Sequence, residues 1–487
     1  MLHYLLPRLR DFLFITIFAG ALLIGQRMLN TDSDLGRHLT LGGYILDTRQ
    51  IPTRDLLSFT KPDQPRPPYE WLAQVLFASV YRLLNLDGVI LLTASLIAAA
   101  FLLVYVDSTQ RSGAPILALF LTIWAASASS LHWLTRPHIF SFLFFAIWLY
   151  GLEKTRANKN FAIWLFPALM LIWANTHGGF IFGFLAWLAY LAGWLWKVFR
   201  KSANWKDGQI LLIIGGTSLI ASILTPDLWG NWEAVLNNRS AYILSRTVET
   251  MPPNFATPGI WPFAGLLMLV ILFTLLNRKK VEASHIFLLA GLTALSLLMA
   301  RNIPLFAIAA APILAGWVKQ TYEKENRWTK LEDGFAKIDA TLRGFLWPVI
   351  SVIAIIGFFA LRQAKTQTSF FQFDPQVFPA QAADWIESHP QSGNMFNDFN
   401  WGGYLLYRLW PGQRVFIDSQ SDFYGEELTR QSEEILNGKG NWDAELGQYN
   451  VNWIIVPREA GLVKAARSNA GWQIIYEDSV AVIFVRR

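Results

Sequence analysis

The chain has 487 residues, of which 53% are hydrophobic and only 16% are charged, and it contains 22 Trp and 35 Phe. This composition excludes a soluble globular protein and indicates a protein that crosses a membrane many times. The net charge of +6 comes from short clusters of Lys and Arg between apolar segments, so no nucleic-acid partner is expected. The chain has no Cys, which excludes disulfides, thiolate metal sites and cysteine nucleophiles.

A membrane span needs roughly 20 mainly apolar residues, and shorter spans are tolerated inside a helix bundle. The apolar segments predict about eleven spans, at 11–30, 88–106, 114–134, 138–152, 161–176, 179–198, 209–226, 260–277, 286–300, 302–318 and 347–363. The first span resembles a signal peptide, but Asn30-Thr31-Asp32 follows it instead of a small-residue cleavage site. We therefore interpret it as a retained anchor.

The basic loops orient these spans. They contain Arg8 and Arg10; Lys154, Arg156 and Lys159; Lys197, Arg200, Lys201 and Lys206; Arg278, Lys279 and Lys280; and the basic stretch 319–346. With eleven spans, all of these loops lie on the same side as the N-terminus, which the positive-inside rule makes cytoplasmic. The sequence thus predicts a multi-pass protein of the cell membrane. Its outer face would collect 31–87, 135–137, 177–178, 227–259, 301 and everything after 364.

Residues 70–86, "EWLAQVLFASVYRLLNL", are apolar enough to form a further span. Counting them as a span would move every later basic loop to the outer face. We therefore expect an amphipathic helix that lies in the outer membrane interface.

The composition changes after residue 364. Five apolar runs of strand length, "NMFNDF", "RVFIDS", "NWIIVP", "WQIIYE" and "AVIFVRR", alternate with helix-like stretches such as "EELTRQSEEILNG" and "GLVKAARSNAG". This pattern predicts a C-terminal α/β domain over 364–487, outside the membrane, after a transmembrane domain over 1–363.

Polar residues concentrate on the predicted outer face: Asp32, Asp34, Arg37, His38, Asp55, Glu70, Arg136, His138, Asn175, His177, Asp227, Glu233, Arg246 and Arg301. Each has a purely structural explanation. An Asp could end a helix, His177 could mark a turn before two glycines, and Arg136 or Arg301 could reach the headgroups. Because ionisable groups near spans are costly, the group as a whole indicates a functional site.

Carboxylates at the edge of a membrane can deprotonate an acceptor or hold a divalent cation, while Arg and His can neutralise a phosphate. Together they suit group transfer from a lipid phosphate.

The residues that suggest this chemistry also resemble a known family. They lie in "TDSDLGRHLTLGGYILDTRQIPTRDLLSFT", "EWLAQ", "RPHIFSF", "WANTHGGF", "RNIPLFAIA" and "WGGYLLYRLWPGQRVFIDSQSDFYG". Nearly the whole chain resembles a group of bacterial membrane proteins placed with the GT-C superfamily of polyprenyl-phosphate-dependent glycosyltransferases. The first outer loop and the overall layout resemble the GT-C enzymes themselves.

The resemblance implies a fold, a reaction and roles for residues. The fold would be a GT-C-like polytopic helical membrane protein with an extracytoplasmic C-terminal α/β domain. The reaction would be inverting transfer of a sugar from a polyprenyl-phosphate-linked donor to a glycan, lipid or protein acceptor. Asp34, four residues before His38 as in oligosaccharyltransferases, would be the base, with Asp32 as second choice. Arg136, His177 and Arg301 would bind the donor phosphate, and His38, Glu70 and His138 would shape the pocket.

The later outer loops lack a second Asp-x-Asp motif, so we expect no required cofactor, with a divalent cation as an open alternative. In the C-terminal part, Trp401, Tyr404, Asp418 and Asp422 are residue types that stack on and hydrogen-bond to sugars, and they are candidates for acceptor binding. The same residues could instead cap a helix or pack in a core. Two other functions stay open for the whole chain, a non-catalytic membrane assembly subunit and a transporter, although paired half-repeats are not evident.

Overall fold

A computed structural model describes residues 5–157, 162–237, 240–245, 248–321 and 327–487. Two residues considered above, Lys159 and Arg246, lie outside these ranges. The chain is mostly helical. The helices before residue 370 are Leu9–Leu23, Gly25–Asn30, Asp34–Thr48, Trp71–Ser112, Pro115–Ser129, His138–Arg156, Leu165–Thr176, Ile181–Phe199, Trp205–Ile223, Gly230–Asn237, Ala241–Leu244, Trp261–Leu276, Ala283–Leu298, Ile303–Thr321, Arg327–Thr341 and Trp347–Thr366.

Helices occupy all eleven predicted spans. Within the described ranges, six helical segments are long and apolar enough to cross a membrane: Trp71–Ser112, Pro115–His132, Gly178–Phe199, Pro258–Leu276, Ala300–Thr321 and Trp347–Thr366. Two shorter apolar helices, Leu165–Thr176 and Ala283–Leu298, accompany them. The expected polytopic helical fold is confirmed. The orientation of the spans stays a prediction.

A backbone break divides the long helix Trp71–Ser112. Leu84 and Asn85 depart from helical geometry, and Asn85 has φ 50°. The segment 70–86, expected to lie in the interface, is therefore separated from the apolar residues that follow. Its depth in the membrane stays a prediction.

The chain forms two compact units. One comprises Met1–Ile24, Leu91–Leu228 and Thr247–Lys365, and the other comprises Gly25–Ile90, Trp229–Arg246 and Thr366–Arg487. We call them the membrane unit and the loop unit. The loop unit contains both the first outer loop and the C-terminal residues, which are distant in sequence.

In the membrane unit, helices pack in pairs, and helix Ile303–Thr321 packs against Pro115–Ser129 with most of its residues buried. Glu153 binds several groups at the end of helix His138–Arg156: its carboxylate pairs with Arg111 at 3.3 Å and Arg156 at 2.6 Å and lies 3.1 Å from His285 Nε2. A cavity of about 250 Å³ adjoins these side chains. Removing a charge from water is costly unless it is paired, so this buried group depends on its mutual ion pairs.

The C-terminal part of the loop unit contains a four-stranded sheet. The strands are β1 (Asn394–Asn397), β2 (Val451–Pro457), β3 (Trp472–Glu477) and β4 (Ala481–Arg486), in the order β1-β2-β4-β3. β1 is parallel to β2, whereas β4 is antiparallel to both β2 and β3. The helices are Ala380–Ser388, Gly402–Leu409, Ser421–Leu436, Trp442–Gln448 and Gly461–Arg467. The α/β class of this part is confirmed, and its bounds and its location outside the membrane stay predictions.

One of the five predicted strands is wrong. The run "RVFIDS" forms only an isolated bridge, between Val415 and Ser58 of the first outer loop. Its backbone finds other partners: Val415 N donates to Leu57 O, and Phe416 N donates to the Asn397 side chain. Apolar side chains made the run resemble a buried strand, but its hydrogen bonds attach it to a loop more than 350 residues away in the sequence.

Candidate functional site

The first outer loop begins with a turn that fixes two acidic residues in different roles. The backbone N–H of Asp34 donates to Asp32 Oδ1 at 2.9 Å, so Asp32 accepts a bond at the start of helix Asp34–Thr48. Such capping satisfies a helix-terminal N–H that would otherwise lack a partner. The Asp34 side chain points elsewhere and accepts from the hydroxyl of Ser419. Asp32 therefore stabilises the start of the helix, whereas Asp34 contacts the C-terminal segment.

Two glycines allow this contact between distant segments. Helix Asp34–Thr48 packs against helix Gly402–Leu409, and a Cβ on Gly36 would collide with the carbonyl of Gly403. A Cβ on Gly403 would in turn collide with the carbonyl of Ser33. Only glycine permits such close backbone approach. The packing holds the C-terminal segment against the start of the loop helix.

A hairpin-like loop brings Arg66 against Asp418 and Gln420 of the C-terminal segment. The backbone of Asp55 bonds to Gln64 O and that of Arg66 to Thr53 O, which sets the two side chains next to each other. Arg66 Nη1 donates to Asp55 Oδ1 at 2.5 Å, and Arg66 Nη2 lies 3.2 Å from Asp418 Oδ2. Arg66 also donates to Gln420 Oε1 at 2.6 Å. The first outer loop is thus bound to the C-terminal segment by charge-assisted hydrogen bonds.

Arg37 lies near both Asp34 and Asp418, the carboxylate that Arg66 also contacts. Its guanidinium lies 3.6 Å from Asp34, 3.7 Å from Asp418 and 3.9 Å from Glu70. Burial alone would lower the pKa of Arg37, but the carboxylates of Asp34, Asp418 and Glu70 raise it above its usual value. Arg37 is therefore a permanent cation here. We call Arg37, Arg66, Asp55, Asp418 and Gln420 the arginine cluster.

The arginine cluster is almost filled by its own side chains. The space beside Arg37, Arg66 and Glu70 is about 20 Å³, which is enough for one water molecule. Burial raises the pKa of Tyr424, as does the carboxylate of Asp418, so its hydroxyl stays protonated and donates to Asp418 at 3.0 Å. No sugar fits between these residues. A substrate would have to reach Asp34 from its exposed side, where 14% of the side chain is accessible.

The predicted pocket residues His38 and Glu70 lie beside Arg37. His38 is buried, with Nε2 3.5 Å from Arg37 and Nδ1 3.4 Å from the amide of Gln74. Glu70 lies 3.9 Å from His38. Among the described residues, no group of three or more His, Asp or Glu side chains could hold a metal ion. Asp34 is engaged by Ser419 and Arg37, and His38 lies beside Gln74, so metal use stays a prediction.

The four residues predicted to bind an acceptor are found mostly in the interior. Tyr404 stacks on Phe378, and the indole N–H of Trp401 donates to Val377 O. Asp418 is fully buried in the arginine cluster. Asp422 is half-buried and accepts from the Tyr69 hydroxyl at 3.2 Å; burial raises its pKa despite the nearby charges of Arg37 and Arg66. Acceptor binding stays a prediction, and Asp422 is the most accessible of the four.

In the membrane unit, His177 has a defined tautomer. The Trp173 indole donates to Ser141 Oγ, so the Ser141 hydroxyl is free to donate to His177 Nδ1 at 2.8 Å. The backbone N–H of Gly179 also donates to Nδ1, at 3.0 Å. Nδ1 therefore accepts twice, and the proton is assigned to Nε2. This half-buried imidazole offers a fixed N–H donor.

Three other predicted residues accompany His177. The His138 ring lies 6.3 Å from the His177 ring and donates from Nε2 to the His132 carbonyl. Arg136 pairs with Glu249 at 3.3 Å. Arg301 is exposed. Burial lowers the pKa of His177, and the positive charge of Arg301 lowers it further. His138 thus lies beside His177, and the roles predicted for Arg136, His138, His177 and Arg301 stay predictions. We call Arg136, His177 and Arg301 the phosphate cluster, after their predicted role; His138 is the residue predicted to shape the pocket.

Sequence reasoning missed Arg66, Ser419 and Gln420. Arg66 lies in "PDQPRPPY", a Pro-rich loop with no periodic signal. Ser419 ends the run "RVFIDS" that resembled a strand, and Gln420 follows it. The available signal was the unusual combination of an Arg between prolines and a polar "DSQSD" segment.

No family model matches the sequence, and no curated protein sequence matches it. Among solved structures, the oligosaccharyltransferase of Archaeoglobus fulgidus in its apo form has a TM-score of 0.57 at 10% identity, covering 97% of this chain and 74% of its own. ArnT from Cupriavidus metallidurans bound to undecaprenyl phosphate has a TM-score of 0.51 at 12% identity, covering 97% of both chains.

A third structure is the A. fulgidus enzyme AglB in complex with an inhibitory peptide and a dolichol-phosphate, with a TM-score of 0.54 at 11% identity and 97% of this chain covered. These similarities extend over nearly the whole chain. The chain has the GT-C fold. The GT-C resemblance seen in the sequence is confirmed at the level of the fold, including the membrane-embedded helices and the C-terminal domain.

Proposed function

We propose that this GT-C protein transfers a sugar from a polyprenyl-phosphate-linked donor to an acceptor at the outer face of the membrane, with inversion at the anomeric carbon. The observation that carries the proposal is the setting of Asp34: a half-buried carboxylate at the start of the first-loop helix, held by Ser419 and Arg37 and accessible on one side. The GT-C structures that this chain resembles support it, since one holds undecaprenyl phosphate and another dolichol-phosphate.

In this proposal Asp34 is the general base. A carboxylate can accept a proton only when it is ionised, and the adjacent guanidinium of Arg37 stabilises the ionised form. The acceptor hydroxyl or amine would lose its proton to Asp34 as its lone pair attacks the anomeric carbon. The bond from that carbon to the phosphate oxygen would break, and polyprenyl phosphate would leave with the bonding electrons.

The leaving phosphate needs compensation for its growing negative charge. The phosphate cluster supplies the guanidinium groups of Arg136 and Arg301 and the Nε2–H of His177. Fixed donors aimed at developing charge are an effective form of catalysis. The topology predicted from the sequence places this cluster and Asp34 on the same, outer face of the membrane.

A binding measurement tests the donor side. Purified protein in detergent should bind undecaprenyl phosphate, and Arg301→Ala should weaken the binding by roughly 10- to 100-fold, as expected for loss of a hydrogen bond to a charged group. Native mass spectrometry or a competition assay would give the dissociation constants.

The matched control is Arg278→Ala, which removes another exposed arginine of the membrane unit from a predicted cytoplasmic loop. We expect unchanged binding in this control. Equal affinities of the wild type and Arg301→Ala would refute the phosphate role. Tight, Arg301-dependent binding with no sugar transfer to any acceptor would favour the non-catalytic assembly subunit.

Metal dependence provides a second test. Asp34 is engaged by Ser419 and Arg37, and Arg66 engages Asp55 and Asp418. Because these carboxylates are already neutralised by arginines, we expect transfer activity to persist after dialysis against EDTA. Activity that disappears with EDTA and returns with Mg²⁺ or Mn²⁺ would contradict this expectation and favour a metal-assisted reaction.

A further inference from the structure

Helix Arg327–Thr341 has three distinct faces. The side chains at Thr329, Glu332, Ala336 and Asp339 are half-buried and follow one line along the helix. Next to this line runs an apolar face that is exposed: Trp328 at 74%, Leu331 at 45%, Phe335 at 43% and Ile338 at 60%. Lys330, Asp333 and Lys337 are exposed and occupy the remaining, polar face. The helix is therefore amphipathic, with a large apolar surface that is exposed among the described residues of the membrane unit.

The half-buried line attaches the helix to the ends of two others. Glu332 accepts from the backbone N–H groups of Ile116 and Leu117, at 2.8 and 2.9 Å, in the first turn of helix Pro115–Ser129. Asp339 accepts from Leu9 N at 2.7 Å, at the start of helix Leu9–Leu23. Both carboxylates satisfy helix N-termini, where a negative charge is favourable. The acidic side chains thus fix the helix at the level where two predicted spans begin.

The segment after helix Arg327–Thr341 also contacts the residues just before helix Leu9–Leu23. Residues 342–346 lead directly into helix Trp347–Thr366, a candidate span of which only 6% is buried by protein. The Trp347 indole donates to Leu5 O, and Gly344 N donates to Leu6 O. Six residue steps reach at most about 20 Å, so helix Arg327–Thr341 stays close to the start of this span.

We propose that helix Arg327–Thr341 lies on the lipid bilayer and inserts Trp328, Leu331, Phe335 and Ile338 into the boundary between headgroups and acyl chains. An amphipathic helix with aromatic and aliphatic residues on one face and Lys on another is typical of interfacial helices. Lys330 and Lys337 can reach the phosphate groups of the lipids. The occupant of the apolar face is thus the membrane surface, on the side where helices Leu9–Leu23 and Pro115–Ser129 begin.

The absence of Cys from the chain makes a direct test simple. Single nitroxide labels are attached to Phe335→Cys on the apolar face, Lys337→Cys on the polar face, and Ile353→Cys on the exposed surface of helix Trp347–Thr366 as a lipid-facing reference. The three variants are reconstituted in vesicles of phosphatidylethanolamine and phosphatidylglycerol. Power saturation then measures access of oxygen, which concentrates in lipid, and of a water-soluble nickel chelate.

We expect the label at 335 to resemble the one at 353, with access to oxygen exceeding access to the nickel chelate, and the label at 337 to show the opposite order. All three positions are exposed, so the substitutions should leave the fold intact. Equal nickel access at 335 and 337 would overturn the proposal. A label at 335 that is immobile and shielded from both reagents would also overturn it, because a protein partner or a second copy would then cover the face.

Discussion

Replacing Asp34 by Asn is expected to lower the rate of sugar transfer by roughly 10²- to 10⁴-fold, the usual contribution of a general base. Asn has nearly the same shape and can still accept the hydrogen bond from Ser419, so the start of the helix should keep its geometry. The loss would therefore appear in kcat with little change in the melting temperature. The measurement is transfer of labelled sugar from a polyprenyl-phosphate donor by purified protein.

Two control variants carry the same Asp-to-Asn change, one at Asp32 and one at Asp47. Asp32→Asn should keep most of the activity, because an Asn side chain can still accept from the backbone N–H of Asp34. Asp47→Asn, in an exposed position of the same helix, should behave as the wild type. Full activity of Asp34→Asn would remove Asp34 as the base, and loss of activity in Asp32→Asn alone would transfer that role to Asp32.

The Arg66→Met variant is expected to lose about 3–5 kcal/mol of stability, the typical cost of removing one partner from a buried ion pair. Met is similar in length, so the change removes charge more than volume. It would leave the buried carboxylates of Asp55 and Asp418 without the cation that lies 2.5 and 3.2 Å away. The contact of the guanidinium with the Phe423 ring at 4.5 Å would also be lost. Thermal unfolding of the detergent-purified protein measures the effect.

Arg82→Met is the matched control within the loop unit. Arg82 also pairs with an aspartate, Asp47, at 2.7 Å, but the two side chains are 47% and 67% exposed. An exposed pair of this kind contributes about 0–1 kcal/mol. We therefore expect a melting temperature close to that of the wild type. If Arg66→Met and Arg82→Met unfold at the same temperature, the arginine cluster does not hold the first outer loop to the C-terminal segment.

Much of the membrane part was predictable, because a span must be apolar over a long stretch and because loops between spans are polar. Helices lie at every predicted span. The break at Leu84 and Asn85 was anticipated only indirectly, through the need to keep the basic loops on one face. Hydropathy reports burial in an apolar environment, but it does not report where a continuous apolar run changes direction.

The candidate site was predictable where a single segment carried the signal. Asp34 and His177 stood out because a charged or polar residue beside a span is costly, which makes it a candidate for a functional role. Arg66 gave no such signal, since a lone cation in a polar loop is ordinarily solvated. Its importance comes from Asp418 and Gln420, more than 350 residues further along the chain, and only the folded structure brings them together.

Trp401 and Tyr404 show a different limit of sequence reasoning. An aromatic ring with a polar tip suits a sugar surface, and it equally suits a core position where the tip finds one partner. Both rings here are buried, with the indole N–H bonded to a backbone carbonyl. Composition alone cannot separate these two uses, because burial depends on which other segments pack over the ring.

A structure of the protein with a polyprenyl-phosphate-linked sugar, determined by cryo-electron microscopy of the Asp34→Asn variant, tests the central claim most directly. The proposal predicts the phosphate in contact with Arg136, His177 and Arg301, and the anomeric carbon beside residue 34 with room for an acceptor between them. A donor bound away from residue 34, or a phosphate held by other cations, would contradict the proposed reaction.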